Sequence, residues 1–125
     1  MRSMRVLIVD DELEWQELLT EVIGDAHEQV YIESAVDGFE AGRKVRWLKP
    51  DFVLLDLGMP GIDGIQLCHS IKADPETGST RVIAITGSHT TENVNRLLEA
   101  GAEHCLAKPL DYDKLFTIMG LMRQI

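Results

Sequence analysis

Polar side chains stand where short apolar runs break off. Val6-Leu7-Ile8-Val9 gives way to Asp10, Asp11 and Glu12, and the run from Phe52 to Leu55 ends in Asp56. Val82 to Ile85 ends in Thr86, and Cys105-Leu106-Ala107 ends in Lys108. Gathered in one place, these groups have a definite chemistry. Two like charges at about 4 Å repel by about 4 kcal/mol at an effective dielectric of roughly 20. The carboxylates therefore need a cation or a proton. Hard oxygen donors with open positions suit Mg²⁺, which keeps waters and completes its shell with phosphate. The metal and Lys108 would neutralise phosphoryl oxygens, Thr86 would supply a hydroxyl, and a carboxylate would attack. Taken singly, the same residues have plainer readings. Asp11 could be a helix N-cap with Glu14 behind it, Thr86 a strand end, and Lys108 a surface charge. Gly58, Gly61 and Gly64 could be turn residues. The coincidence at four strand ends favours the site.

Those ends must be brought together by the elements. The continuous apolar runs read as strands buried on both faces, with Val30 to Val36 a weaker fifth. Between them lie helical stripes. Trp15, Leu18, Leu19 and Val22 form the first, with Gly24 placed to stop it. Asp37 caps a second helix with Glu40 as partner, Ala41, Val45 and Leu48 on its inner face, and Pro50 at its end. Asp63 with Gln66 repeats the capping pattern ahead of Leu67, Cys68 and Ile71. Asp74 to Thr80 reads as a loop. A helix from Thr91 to Ala100 is stopped by Gly101, and Asp111 caps a last helix with Leu115, Phe116, Met119 and Met122 inward.

Strict β–α alternation predicts an α/β chain with a central parallel five-stranded sheet and helices on both faces. In such sheets ligands bind beyond the carboxyl ends of the strands, where strand order reverses. In the order 2-1-3-4-5 the four polar ends span about 14 Å. There is no linker or low-complexity segment, so residues 1–125 are expected to form a single domain with residues 1–4 as a flexible lead-in.

The bulk numbers fit. The 125 residues are 45% hydrophobic and 26% charged, an ordinary globular balance. A net charge of −9 argues against direct nucleic-acid binding and against an anionic membrane surface. No apolar run approaches the roughly 20 residues of a bilayer span, and the N-terminus lacks a signal-peptide pattern; a cytoplasmic location is expected. Cys68 and Cys105 form no CxxC, and the four histidines show no zinc spacing.

The segments "LIVDDE" (7–12), "DLGMPGIDG" (56–64), "VIAITG" (82–87) and "GAEHCLAKP" (101–109) resemble, in order and spacing, the response-regulator receiver domains of two-component signalling. The resemblance runs from Met4 to Gln124. It implies a flavodoxin-like (βα)5 three-layer sandwich and a phosphorylation-operated switch, an enzyme only in assisting its own phosphorylation and autodephosphorylation. Asp56 would accept a phosphoryl group from a sensor histidine kinase, a phosphotransfer protein or a small phosphodonor. Asp10 and Asp11, with Asp56 and the carbonyl of Gly58, would hold Mg²⁺, for which Mn²⁺ could substitute. Thr86, the backbone of Gly87, and Lys108 would contact phosphoryl oxygens. The Lys108-Pro109 bond would be cis, and Met59-Pro60 would fix the loop after Asp56. Helix 1 and the loop after strand 5 would dock the kinase. A downstream protein or attached output domain would read the state, and homodimerisation would use helix 4, strand 5 and helix 5.

The sequence departs from the family at two places. Receivers usually carry Tyr or Phe three residues before the lysine, where this chain has Cys105. Phosphorylation is then expected to reach the output face differently or more weakly, with His104 as a candidate substitute. A phosphorylation-independent interaction module is the alternative reading that Cys105 favours. Gly87 stands where Ala is commoner, and Gly58 and Ser88 are small, which implies little shielding of an acyl phosphate. A phosphohydrolase of the haloacid-dehalogenase type would need a second Asp where Gly58 stands.

Overall fold

A computed structural model describes residues 3–26, 29–58 and 63–121. The elements alternate throughout: β1 (Met4–Val9), α1 (Leu13–Ala26), β2 (Val30–Ala35), α2 (Gly38–Leu48), β3 (Phe52–Asp56), α3 (Gly64–Ala73), β4 (Arg81–Thr86), α4 (Thr91–Glu99), β5 (His104–Ala107) and α5 (Tyr112–Met119). The five strands form one parallel sheet in the order β2-β1-β3-β4-β5. The parallel sheet is what the β–α alternation predicts, and its strand order is the flavodoxin-like one that the resemblance implies.

The three inner strands read as unbroken apolar runs because both of their faces are covered. Successive side chains point to opposite sides. Leu7, Val9, Val53, Leu55, Val82 and Ala84 pack beneath α2, α3 and α4, against Val45, Cys68, Ile71 and Leu97. Val6, Ile8, Leu54, Ile83 and Ile85 pack beneath α1 and α5, against Leu19, Ile23, Leu115 and Phe116. Burying a side chain of this size stabilises the fold by roughly 1.5–3 kcal/mol.

The helix starts follow local chemistry. Asp37 accepts the Glu40 N–H at 2.8 Å, and Asp63 accepts those of Ile65 and Gln66 at 3.1 Å. Thr90 and Asp111 cap α4 and α5 in the same way. Gly101, just past α4, has φ 106°, a conformation that favours glycine. A Cβ there would also lie 2.6 Å from Cγ of Lys72. The Lys72 ammonium in turn holds the 74–80 turn by donating to the carbonyls of Gly78 and Thr80 at 2.7 and 2.8 Å.

Three expectations need correction. Met4 is not lead-in: it pairs with Val30 inside β1. Gly24 does not stop α1, which continues to Ala26. The inner face of α1 is also rotated. Leu18 is 42% exposed, while Gln16 is buried with Leu19 and Ile23. The cause is a polar contact: the Gln16 amide donates to the carbonyls of Asp10 and Ala35. Met59, Pro60 and Met122 lie outside the described residues.

Candidate phosphoryl-acceptor site

All the polar strand ends fall on one edge of the sheet. Parallel register makes this unavoidable: Val9 pairs with Leu55, Asp56 with Ile85, and Thr86 with Ala107. The residues after β1 and β5 therefore flank the ends of β3 and β4.

Asp10 leaves β1 fully buried, its N–H bonded to the Ala35 carbonyl at 3.0 Å. One carboxylate oxygen, Oδ1, accepts the Glu12 N–H at 2.9 Å. The other, Oδ2, is buried with no hydrogen-bond partner. Burial, helped by the charge of Asp56, pushes the Asp10 carboxyl up to about 6, against the pull of the Glu12 N–H. Asp56 is also buried; its Oδ1 accepts the Gly58 N–H at 3.1 Å and lies 3.5 Å from Nζ of Lys108. Asp11 and Glu12 complete the cluster from the exposed side. Each of the four acids places a carboxylate oxygen within 4.8 Å of the others. At that separation each like-charge pair repels by on the order of 3 kcal/mol at an effective dielectric of about 20.

Lys108 offsets part of this charge, and it is held from several sides. Its N–H donates to the Thr86 carbonyl at 2.9 Å, and the Lys108-Pro109 peptide is cis. Its ammonium lies 5.0 Å from the centre of the Trp15 ring, within cation–π range. One cation cannot balance four carboxylates. The surplus charge, the hard oxygen donors and the orphaned Asp10 oxygen together fit a divalent ion such as Mg²⁺.

Thr86 is buried at the end of β4, and its hydroxyl accepts the Ser88 N–H at 3.0 Å. A cavity of about 610 Å³ opens beside it, walled by Gly58, Thr86, Gly87 and Ser88 on the sheet side and by Asn93 and Arg96 of α4. At Gly87 a Cβ would meet nothing within 4 Å, and at Gly58 it would come no nearer than 3.6 Å to Asp56 Oδ1. Space among the described residues therefore does not demand glycine at Gly58.

Cys105 is half-buried, packs on the side of α2, α3 and α4, and has its thiol pushed up by burial. His104 does not substitute for an aromatic here. Strand alternation turns it to the opposite face, where Glu103 is 4.0 Å away. The residue that does reach Cys105 is His89. Its Nε2 lies 3.0 Å from the Cys105 carbonyl, and a carbonyl only accepts, so that nitrogen carries the proton. Asn93 steadies the same loop by donating to the Ser88 carbonyl at 2.9 Å.

Sequence reasoning gave no site role to Trp15, Gln16 and His89. The first two sit within six residues of Asp10, where a helix entering from a strand end must pass the site. His89 carried no usable signal, because its contact depends on the path of the β4–α4 loop.

Comparison with known proteins agrees with this fold. The family model described as "Response regulator receiver domain" matches residues 6–119. A protein-glutamate methylesterase/protein-glutamine glutaminase of Geobacter sulfurreducens is 39% identical over 109 residues, which is 87% of this chain and 29% of that protein. The DNA-binding response regulator MtrA of Mycobacterium tuberculosis is 38% identical over 106 residues, 84% of this chain and 44% of MtrA. The chain thus spans less than half the length of these relatives. Among solved structures, the signal receiver domain of a DNA-binding response regulator from Colwellia psychrerythraea superposes with a TM-score of 0.91 at 38% identity, covering 94% of this chain and 96% of that one. The receiver domain of a histidine kinase from Syntrophus aciditrophicus gives 0.83 at 29% identity, covering 94% and 88%. With the family's pattern spanning nearly the whole chain, and the fold shared with solved members, this protein belongs to the response-regulator receiver-domain family.

Proposed function

We propose that the domain is a phosphorylation-operated switch with Asp56 as the acceptor. The observation that carries this reading is the placement of Asp56. It is a buried carboxylate at the end of a central strand, 3.5 Å from a lysine, in a surplus of negative charge. A carboxylate buried only for stability would be expected to be fully neutralised. This one is left short of positive charge, as a site that awaits a cation and a phosphoryl group would be.

The chain's own groups divide the work. Asp10, Asp11 and Asp56, with the Gly58 carbonyl, would hold the divalent ion, and Glu12 borders them. Bound there, Mg²⁺ would supply positive charge for carboxylate and phosphoryl oxygens. An Asp56 carboxylate oxygen attacks phosphorus, and the P–N bond of a donor phosphohistidine, or the P–O bond of an acyl phosphate, breaks. The leaving group departs with the bonding pair. Lys108 neutralises a phosphoryl oxygen from its position beside Asp56, the Thr86 hydroxyl turns to donate to another, and the Gly87 N–H faces a third. Hydrolysis by water then resets the carboxylate. Receiver domains act with histidine kinases or phosphotransfer proteins and with output domains, and the same classes of partner are proposed here.

Trp15 gives a direct test, because it touches the Lys108 ammonium. In a Trp47→Phe background Trp15 is the one remaining tryptophan. Its fluorescence should change saturably with Mg²⁺, and again on adding beryllofluoride as a phosphoryl mimic. The beryllofluoride step should vanish in Asp56→Asn. A response to beryllofluoride that survives in Asp56→Asn would refute the assignment.

A further inference from the structure

Helix α2 carries a second surface that the phosphoryl chemistry does not use. Ala41, Val45 and Leu48 bury one side of it. On the other side Phe39, Arg43 and Trp47 recur every fourth residue and so lie one above the next. Phe39 is 85% exposed and Trp47 67%, the two most exposed large apolar residues among those described. Single exposed apolar residues are ordinary. Two aromatics on one face of an 11-residue helix, with an arginine between them, form a patch.

The charge of this patch opposes that of the protein. The chain is −9 overall, yet Arg43, Lys44, Arg46 and Lys49 follow one another closely in α2 and its C-cap. Lys44 is held by Glu33 and Glu40, and Arg46 reaches Asp74 at 2.7 Å while its side chain stays 66% exposed. The Arg43 side chain has no ion pair or hydrogen bond among the described residues. A site with aromatic anchors beside an exposed arginine has the composition of a protein-binding hot spot.

Charge selects the occupant. A symmetric contact between two copies through this face would set Arg43 against Arg43. An anionic bilayer presents a broad negative plane, which the chain's surplus of nine negative charges opposes. A single helix is narrow, and beyond about 8 Å the rest of the molecule is screened from it. We propose that the exposed face of α2 docks an acidic amphipathic helix of a partner protein. Its aliphatic stripe would lie along Phe39 and Trp47, and its carboxylates would meet Arg43 and Arg46. The patch is independent of the phosphoryl site, so the two readings stand or fall separately.

The test uses the whole chain and two synthetic helical peptides. Both carry leucines at i, i+3, i+4 and i+7; one has glutamates on the flanks and the other lysines. Calorimetry should show binding of the glutamate peptide only, weakened by salt and by about tenfold or more in Arg43→Glu and in Phe39→Ser/Trp47→Ser. All three positions are exposed, so the variants should melt near wild type, and Arg43→Glu alone suffices if the double variant does not. No binding at millimolar glutamate peptide, or binding indifferent to these substitutions, overturns the proposal. So does a substitution-sensitive response to anionic vesicles, or to the chain's own concentration in sedimentation, in place of the peptide.

Discussion

The ammonium of Lys108 stands 3.5 Å from Oδ1 of Asp56. It also rests near the Trp15 ring, and its backbone is tied to Thr86. Lys108 is therefore placed before any phosphoryl group arrives. Lys108→Met should keep the fold, because the side chain is partly exposed and its stem can still lie along Trp15. Phosphoryl acceptance should slow by about a hundredfold, the scale for losing one oriented charge at a reacting centre. Stopped-flow phosphorylation with an acyl phosphate, beside a thermal melt, checks both parts. An unchanged rate would remove Lys108 from the mechanism.

Asp10 gives a pH prediction. Its folded-state pKa of about 6 lies above the usual carboxylate value of 3.8. The folded state thus binds this proton more tightly than the unfolded chain does. The resulting stability is fully present below about pH 4 and is lost as pH rises through 6. In EDTA, wild type should lose on the order of 2–3 kcal/mol relative to Asp10→Asn between those limits. Urea unfolding of both proteins at pH 4 and pH 7.5 measures the difference. Mg²⁺ should restore wild type and leave the variant unaffected. A gap between the two proteins that does not vary with pH would contradict this account of Asp10.

The fold was legible where local chemistry and burial agree. Asp37, Asp63 and Asp111 cap helices because a short acceptor before an apolar stripe has few better uses. Val53, Leu54 and Leu55 read as a central strand because both faces are covered. The strand-end rule then set Asp10, Asp56, Thr86 and Lys108 on one edge. The rotation of α1 was not legible. Leu18 fits an apolar stripe as well as Leu19 does, and only the tertiary contact of Gln16 with two strand-end carbonyls decides between them. Loop-borne contacts such as that of His89 with Cys105 fail for the same reason: no periodicity encodes them.

Cys105 leaves the usual place of an aromatic switch to a small side chain. The Cys105 carbonyl is instead linked to the β4–α4 loop through His89. Movement of Thr86 toward a phosphoryl group would pull on that loop. His89→Ala should therefore reduce the beryllofluoride-induced amide shifts of β5 while leaving those around Asp56 intact. Nuclear magnetic resonance spectra of wild type and variant decide this. Equal β5 shifts in both proteins would leave His89 without a part in the switch.

The acyl phosphate should be short-lived, since Gly58 and Ser88 offer little cover. A side chain at Gly58 would make ordinary contact with Asp56 Oδ1 at 3.6 Å. Gly58→Gln should fold normally and lengthen the phosphorylated lifetime severalfold by hindering water. The decay of phosphorylated protein in Mg²⁺, followed by Phos-tag gels, provides the number. An unchanged lifetime would show that access through this side does not limit hydrolysis.

Gly101 offers a purely structural check. With φ 106° and a Cβ that would meet Lys72 at 2.6 Å, Gly101→Ala should cost about 1–3 kcal/mol. Chemical denaturation reads this directly. A neutral substitution would mean that the α4–β5 turn relaxes more freely than its geometry indicates.

The most direct measurement of phosphoryl acceptance by Asp56 is the intact mass of the protein after incubation with acetyl phosphate and Mg²⁺, followed by borohydride reduction and peptide mapping. One Mg²⁺-dependent phosphoryl adduct is expected on wild type, mapping to Asp56 and absent from Asp56→Asn. An adduct at another residue, or none with any phosphodonor, would contradict it.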